Sequence, residues 1–188
     1  KNLAKKAFGN SDIFLEKFIR NSRHIEIQVF GYGEKSAVHF YERDCSIQRR
    51  FQKIIEESPA PKVDQSIIKK MAEMSVKFAS DQKYEGAGTI EFIYDIDQKK
   101  FYFLEMNTRI QVEHPVTEEI TGVDLVELQI KYALNLDSTR VLQNEITKKG
   151  NSLECRLYAE DPKKNFLPSP GKVTKLRFPE VSEDIRLD

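Results

Sequence analysis

A chain of 188 residues with 39% hydrophobic and 32% charged content is long enough for one globular domain, or for one and part of a second. Its 30 Lys and Arg balance 30 Asp and Glu, so there is no global basic field to hold nucleic acid. No apolar run approaches the ~18 residues of a membrane span, and the start, Lys1 to Lys6, has neither an initiator Met nor an apolar signal core.

In chain order, residues 12–19 read as a short extended segment. Ile25, Ile27 and Val29 alternate with Glu26 and Gln28, the pattern of a half-buried strand. Gly31-Tyr32-Gly33 marks a hairpin turn, and Ser36–Glu42 returns as its partner. Residues 43–61 are charged and read as irregular. Asp64 then caps a helix with Ile67, Met71, Met74 and Phe78 at helical spacing and Ile68 and Ser75 beside them. That helix stops before Glu85-Gly86, and two strands follow, near Gly88–Asp95 and Phe101–Asn107. Pro115 suits the first turn of a helix ending near Gly122. Asp124 with Glu127 suggests a capping box for another helix, to about Asn135. Residues 137–151 read as a polar connector. Ser152–Glu160 is again a strand, Pro168-Ser169-Pro170-Gly171 a turn, and Val173–Phe178 a last strand. The mixed order argues an α+β fold with antiparallel pairing.

Cys45 and Cys155 lie 110 positions apart and have no metal-ligand spacing; they read as reduced thiols. The 8 glycines are scattered and form neither a P-loop nor a dinucleotide fingerprint.

The hairpin 88–107 carries the first chemical signal. With Gln98 at the loop centre, Glu91 lies opposite Glu105, Thr89 opposite Asn107 and Ile93 opposite Phe103. The other face pairs Ile90 with Met106, Phe92 with Leu104 and Tyr94 with Tyr102, and is wholly apolar, which pins the register. Two opposed carboxylates about 5 Å apart at an effective dielectric near 20 repel by roughly 3 kcal/mol. A divalent cation would offset that, and two carboxylates with a nearby Asn suit Mg²⁺. A solvated edge pair, or pairing with a base such as Arg109, would offset it too.

The segment following the hairpin, Glu105-Met106-Asn107-Thr108-Arg109-Ile110-Gln111-Val112-Glu113-His114-Pro115, is dense in charge beside a core strand. Together with the run Val116–Leu125 it resembles the biotin carboxylase family of ATP-grasp ligases. Four other stretches carry the same resemblance: Glu42–Arg50, Gly86–Phe92, Glu154–Arg156 through Ala159–Pro162, and Phe166–Lys172. The likeness covers nearly the whole chain. It implies an α+β ATP-grasp antiparallel sheet with helices on one side over residues 1–136, a connector over 137–151, and the start of the family's C-terminal domain over 152–188.

The resemblance also implies an activity. Such enzymes use Mg-ATP (or Mn-ATP) to activate bicarbonate as carboxyphosphate, then carboxylate biotin held on a carrier protein or domain. A carboxyltransferase finishes the reaction, as in an acyl-CoA carboxylase of fatty acid biosynthesis. By this likeness Glu91, Glu105 and Asn107 would hold the metal. Glu113 would be the base for bicarbonate, which Arg109, Gln111 and the backbone of Val112 would bind. Lys53 would add positive charge at phosphate and bicarbonate. Arg156, expected to point away from a core made by Leu153, Cys155 and Leu157, would stabilise the biotin enolate. Glu16, Lys17 and Ile19 match the hinge that meets adenine, and His24 and Gln48 match positions near the ribose. A homodimer or larger complex and a cytoplasmic or mitochondrial-matrix location are implied as well. Phe51 stands where the family has His, beside the ribose. The family's N-terminal α/β domain and glycine-rich lid find no counterpart, so the 188 residues are expected not to turn over alone. Two rival readings are a carbamoyl phosphate synthetase-like ligase and a non-catalytic module that has kept the fold.

Overall fold

The computed structural model describes residues 1–34, 36–136 and 140–188, in two compact units, 1–156 and 157–188. In the first unit a short helix α1 (Asn2–Phe8) precedes a stretch to residue 21 without regular structure. Phe14, Leu15 and Phe18 are exposed there, so the extended segment expected at 12–19 joins no strand and buries none of its large apolar side chains but part of Ile19.

Six strands form one antiparallel sheet. They are β1 (Ser22–Tyr32), β2 (Ala37–Arg49), β3 (Gln52–Ser58), β4 (Glu85–Asp95), β5 (Lys100–Asn107) and β6 (Ser152–Cys155), in the order β5-β4-β1-β2-β3-β6. Tyr32 still pairs within β1, so the turn falls after Gly33 (φ 67°) rather than at Gly31. Gly31 is needed inside the strand for another reason: a Cβ there would lie 2.0 Å from the Tyr84 carbonyl oxygen.

The largest departure from expectation is residues 43–58, read as irregular. They complete a long β2 and turn directly into β3. Arg49 pairs with Gln52, and the two residues between, Arg50 and Phe51, both take positive φ. A two-residue hairpin turn of the I′ kind requires that backbone and normally advertises it with Asn-Gly. Arg-Phe gives no such cue.

Helix α2 (Gln65–Asp81) begins where Asp64 accepts a hydrogen bond from the Ser66 N–H at 2.8 Å. It buries Ile67, Ile68, Met71, Ala72, Ser75 and Ala79, while Met74 and Phe78 are half out. The inward face is therefore rotated from the expected line. Against α2 sit Ile25, Ile27 and Val29 of β1 and Ile90, Phe92 and Tyr94 of β4. Phe30 and Ala87, from the opposite parity of β1 and β4, and Val38 and Phe40 of β2 pack with Leu125 and Leu128 of α4 (Leu125–Ala133) and with Ile146. Side chains alternate across a strand, so helices cover both faces of the sheet, not one as expected. This is why β1 is buried without interruption from Ile25 to Gly31: it is a central strand roofed twice, and Glu26 and Gln28 do not face water.

Helix α3 (His114–Thr121) follows β5, with Pro115 in its first turn and Gly122 closing it in the left-handed region. Asp124 accepts from the Glu127 N–H to start α4. Of the expected connector, 137–139 lie outside the described residues. The rest is fastened: Tyr41 donates to the Ile146 carbonyl, and the Gln143 side-chain amide both accepts from the His39 N–H (2.8 Å) and donates to its carbonyl (3.0 Å). The strand expected over 152–160 stops at Cys155, with Leu153 and Cys155 exposed.

The second unit holds a two-stranded ribbon, β7 (Glu160–Asp161) with β8 (Leu167–Pro168), around a 3-10 turn at Pro162–Lys164. No strand forms over 173–178. The run there is too short and too exposed to build a ladder by itself.

Candidate active site

The sheet face beneath α3 is polar, and the register explains why. Glu105 on β5 pairs with Glu91 on β4, Glu91 with Glu26 on β1, and Glu26 with Arg43 on β2. Directly paired residues share a face, so three carboxylates and a guanidinium stand in one row across four strands. The expected pairings Thr89–Asn107, Ile90–Met106 and Glu91–Glu105 all hold. Beyond Glu91 a bulge shifts the ladder by one, pairing Phe92 with Phe103 and Tyr94 with Phe101, and leaving Leu104 half exposed.

Arg43 is wholly buried. It donates to Glu26 Oε1 (2.5 Å), Gln28 Oε1 (2.8 Å) and Thr117 Oγ1 of α3 (2.8 Å), with a longer contact to Thr89 Oγ1 (3.3 Å). Lys53 reaches in from β3 and donates to Glu26 Oε2 at 2.6 Å and to Glu91 Oε1 and Glu113 Oε1 at 2.7 Å each. Glu91 collects further donors: Asn107 at 2.9 Å, Gln111 at 3.0 Å, and His24, whose Nε2 lies 2.8 Å from Oε2. Gln48 fixes that ring. Its amide nitrogen donates to the Cys45 carbonyl (2.8 Å) and faces His24 Nδ1 (3.1 Å), so the ring proton belongs on Nε2, toward Glu91. Glu113, immediately before α3, is gripped on its second oxygen by Arg156 Nη2 at 2.7 Å. Arg156 Nε lies 2.7 Å from buried Glu56 on β3.

Electrostatics follow from this packing. Burial alone would raise the Glu91 carboxyl, but hydrogen bonds from His24 and Lys53 and the Lys53 charge outweigh it and hold Glu91 well below the usual carboxylate range. Burial likewise opposes ionised Glu113, and the Lys53 and Arg43 charges overcome it. For Lys53, burial works against the ammonium, and the Glu26 and Glu113 carboxylates reverse the outcome and raise its pKa above the ordinary lysine value.

A pH prediction arises here. A carboxyl lowered by folding contributes stability above its unfolded value and loses it as pH falls through the folded one. Glu91, ordinarily near 4.5, should therefore give a melting temperature that declines as pH drops below that value. Glu91→Gln should flatten part of the decline; a variant keeping the parental slope would count against the network.

The structure thus brings together Lys53, Glu91, Asn107, Gln111, Glu113, Arg156, His24 and Gln48. It does not bring in the rest. Arg109 is exposed and donates to the Ile110 carbonyl at 3.1 Å, so the counter-charge to Glu91 is Lys53 and not Arg109. Val112 and Glu105 are exposed. Glu16 and Lys17 are exposed and Ile19 half-buried on the irregular N-terminal stretch, with the Lys17 ammonium 5.9 Å from the centre of the Tyr102 ring. Phe51 stands 99% exposed at its turn. Arg156 was expected to point away from a core of Leu153, Cys155 and Leu157; those three are exposed instead, and Arg156 reaches Glu56 and Glu113.

Sequence reasoning missed Glu26, Arg43, Glu56 and Glu154. The pairing that sets Glu26 beside Glu91 joins strands far apart in the chain, so no local signal pointed to it. As a cation site the donor set is suitable. Hard carboxylate oxygens of Glu26 and Glu91 lie within 4.8 Å of one another, and Glu105 stands next in the row, an oxygen set that suits Mg²⁺.

Comparison with known proteins agrees with this geometry. Residues 1–140 match the family model for the carbamoyl-phosphate synthase L chain ATP-binding domain, and residues 154–188 match that for the biotin carboxylase C-terminal domain. Biotin carboxylase 1 of Bacillus subtilis is 49% identical over 98% of this chain, which spans 41% of that relative. Urea amidolyase of Lachancea kluyveri is 51% identical over 94% of the chain, spanning 10% of it. Among solved structures, the biotin carboxylase domain dimer of Hydrogenobacter thermophilus 2-oxoglutarate carboxylase, in complex with MgADP, ADP and bicarbonate, superposes with a TM-score of 0.87. It is 48% identical, over 96% of this chain and 40% of that one. An ATP-grasp sheet with this polar row, matched along its whole length by such relatives, places the chain in the biotin carboxylase family.

Proposed function

We propose that the protein carrying this chain uses Mg-ATP and bicarbonate to carboxylate biotin on a carrier protein or domain. The observation that supports it most is Glu113: a buried carboxylate kept ionised by the Lys53 and Arg43 charges and held by Lys53 and Arg156, each 2.7 Å away. A base near a bound anion needs cationic neighbours. In this reading Glu113 takes the proton of bicarbonate, whose freed oxygen attacks the terminal phosphorus of ATP; ADP leaves and carboxyphosphate remains. Lys53 steadies the negative charge during transfer. The carboxyl group then passes to the biotin ureido nitrogen as its bond to the phosphate oxygen breaks; the phosphate released takes the ureido N–H proton, and Arg156 faces the enolate oxygen formed.

Arg109 would swing from the Ile110 carbonyl to grip bicarbonate with Gln111 and the Val112 N–H, since a guanidinium offers such an anion two parallel donors. Glu91, Glu105 and Asn107 would hold magnesium, which when bound neutralises charge on the phosphates. Glu16, Lys17 and Ile19 would meet the adenine, and His24 and Gln48 the ribose side. Residues 1–136 would serve as the ATP-grasp part, 137–151 as connector and 152–188 as the start of the C-terminal domain. A carboxyltransferase partner, a homodimer or larger complex, and a cytoplasmic or matrix location go with this reading, and its two free thiols suit a reducing compartment.

Thermal shift tests the nucleotide site. Mg-ATP at ~100 times its Kd should stabilise the fold by about 2.7 kcal/mol, and chelating the metal should remove most of the shift. No shift would favour a non-catalytic module. ATP hydrolysis that needs bicarbonate and is stimulated by biotin supports the assignment; stimulation by ammonia or glutamine instead would favour a carbamoyl phosphate synthetase-like ligase.

A further inference from the structure

Glu56 and Glu154 face each other across the β3–β6 pairing, and the reading above gives them no task. Glu56 is wholly buried, and neither of its carboxylate oxygens, nor Glu154 Oε2, finds a properly aligned hydrogen-bond donor. A buried carboxylate left that way is costly, so its place calls for a reason. The geometry supplies one. Arg156 directly follows β6, and its N–H continues the ladder to the Ile54 carbonyl at 2.9 Å. Its guanidinium lies with Nε 2.7 Å from Glu56 and Nη2 2.7 Å from Glu113. Glu56 thus sits behind the guanidinium and Glu113 in front of it.

We propose that the pair formed by buried Glu56 and Glu154 beside it positions Arg156, setting how far its guanidinium reaches toward Glu113 and the biotin-facing side of the site. The proposal rests on the biotin carboxylase reading of Arg156 and Glu113 and deepens it. Two carboxylates in direct register share one nearby guanidinium, and that guanidinium is already divided with Glu113. The pair therefore keeps a proton more readily than isolated glutamates do. Burial, then the neighbouring Glu56, raise the Glu154 carboxyl to about 7 in spite of Arg156; Glu113 adds to the rise and Arg43 opposes it. Burial raises Glu56 as well, against the pull of Arg156. With one proton held, Glu56 and Glu154 carry a single charge and Arg156 is shared evenly with Glu113. When the proton leaves, two charges behind the guanidinium draw it back.

The experiment separates the two halves of the reaction in a full-length protein carrying this chain. Bicarbonate-dependent ATP hydrolysis without biotin uses Glu113 and Lys53; carboxylation of biotin adds Arg156. Glu56→Gln should slow biotin carboxylation ~10- to 100-fold, the scale of a misplaced group, and change biotin-free hydrolysis less than about 3-fold on the same scale. Glu56→Asp should restore part of the lost rate. In the parent, the ratio of carboxylation to biotin-free hydrolysis should fall as pH rises through about 7, and Glu154→Gln, which mimics the protonated acid, should remove that inflection. Equal loss of both activities in Glu56→Gln would mean that the pair merely supports the fold, and parental behaviour in both variants would mean that it does nothing for Arg156; either result overturns the proposal. A parent with no bicarbonate-dependent hydrolysis at all would instead overturn the biotin carboxylase reading beneath it.

Discussion

Glu113→Gln should lower bicarbonate-dependent ATP hydrolysis by ~10²- to 10⁴-fold, the contribution of a positioned general base, while leaving Mg-ATP binding within about 3-fold. Gln keeps the shape of Glu, and its one carbonyl oxygen can still accept from either Lys53 or Arg156, which touch opposite oxygens of Glu113 at 2.7 Å, while its NH2 turns to the other. What it loses is the ability to take a proton. The check is steady-state hydrolysis with and without bicarbonate, paired with nucleotide titration by thermal shift. Turnover unchanged from the parent would remove Glu113 from the chemistry. A collapse of nucleotide binding along with turnover would assign it to holding the site together.

Arg43→Ala should be the most damaging single change to stability. The guanidinium is wholly buried and bridges Glu26, Gln28 and Thr117, tying β1 and β2 to α3. Removing it strands Glu26 in the interior, and breaking a buried pair on one side costs roughly 3–5 kcal/mol. Denaturant midpoints measure this. Adding Glu26→Gln to Arg43→Ala should recover part of the loss, because the stranded charge goes with it. A single variant costing under ~1 kcal/mol, no more than an exposed pair, would show that Lys53 alone can satisfy Glu26.

How far the chain announces all this differs from element to element. The hairpin β4–β5 was legible because one face is apolar and a register slip would mix the faces; Glu91 and Glu105 pair as read. The starts of α2 and α4 were legible because Asp64 and Asp124 are good caps, and both accept the hydrogen bonds expected of caps. Glu26 and Arg43 escaped because alternation in β1 looks the same whether its polar face meets water or a second layer. Deciding that requires knowing that α3 and α4 return over that face, which is tertiary information. Strand β3 escaped because Arg50 and Phe51 hold a backbone that carries no composition signal in side chains of their kind. The exposed placements of Arg109 and Val112 had no sequence signal either: the motif places them beside the site in the chain, and local loop geometry sets which way they turn.

The double hydrogen bond between Gln143 and the main chain of His39 has a consequence for the molecule among its copies. Strand β3 pairs with β2 only from Asp44 onward, and among the described residues no other strand pairs with the first half of β2 on that side. Open backbone of this kind is a template for intermolecular β-pairing and fibril growth. A side-chain amide has the same donor and acceptor as a peptide group, so Gln143 occupies the vacancy as a counterfeit strand residue and denies that stretch of edge to another polypeptide.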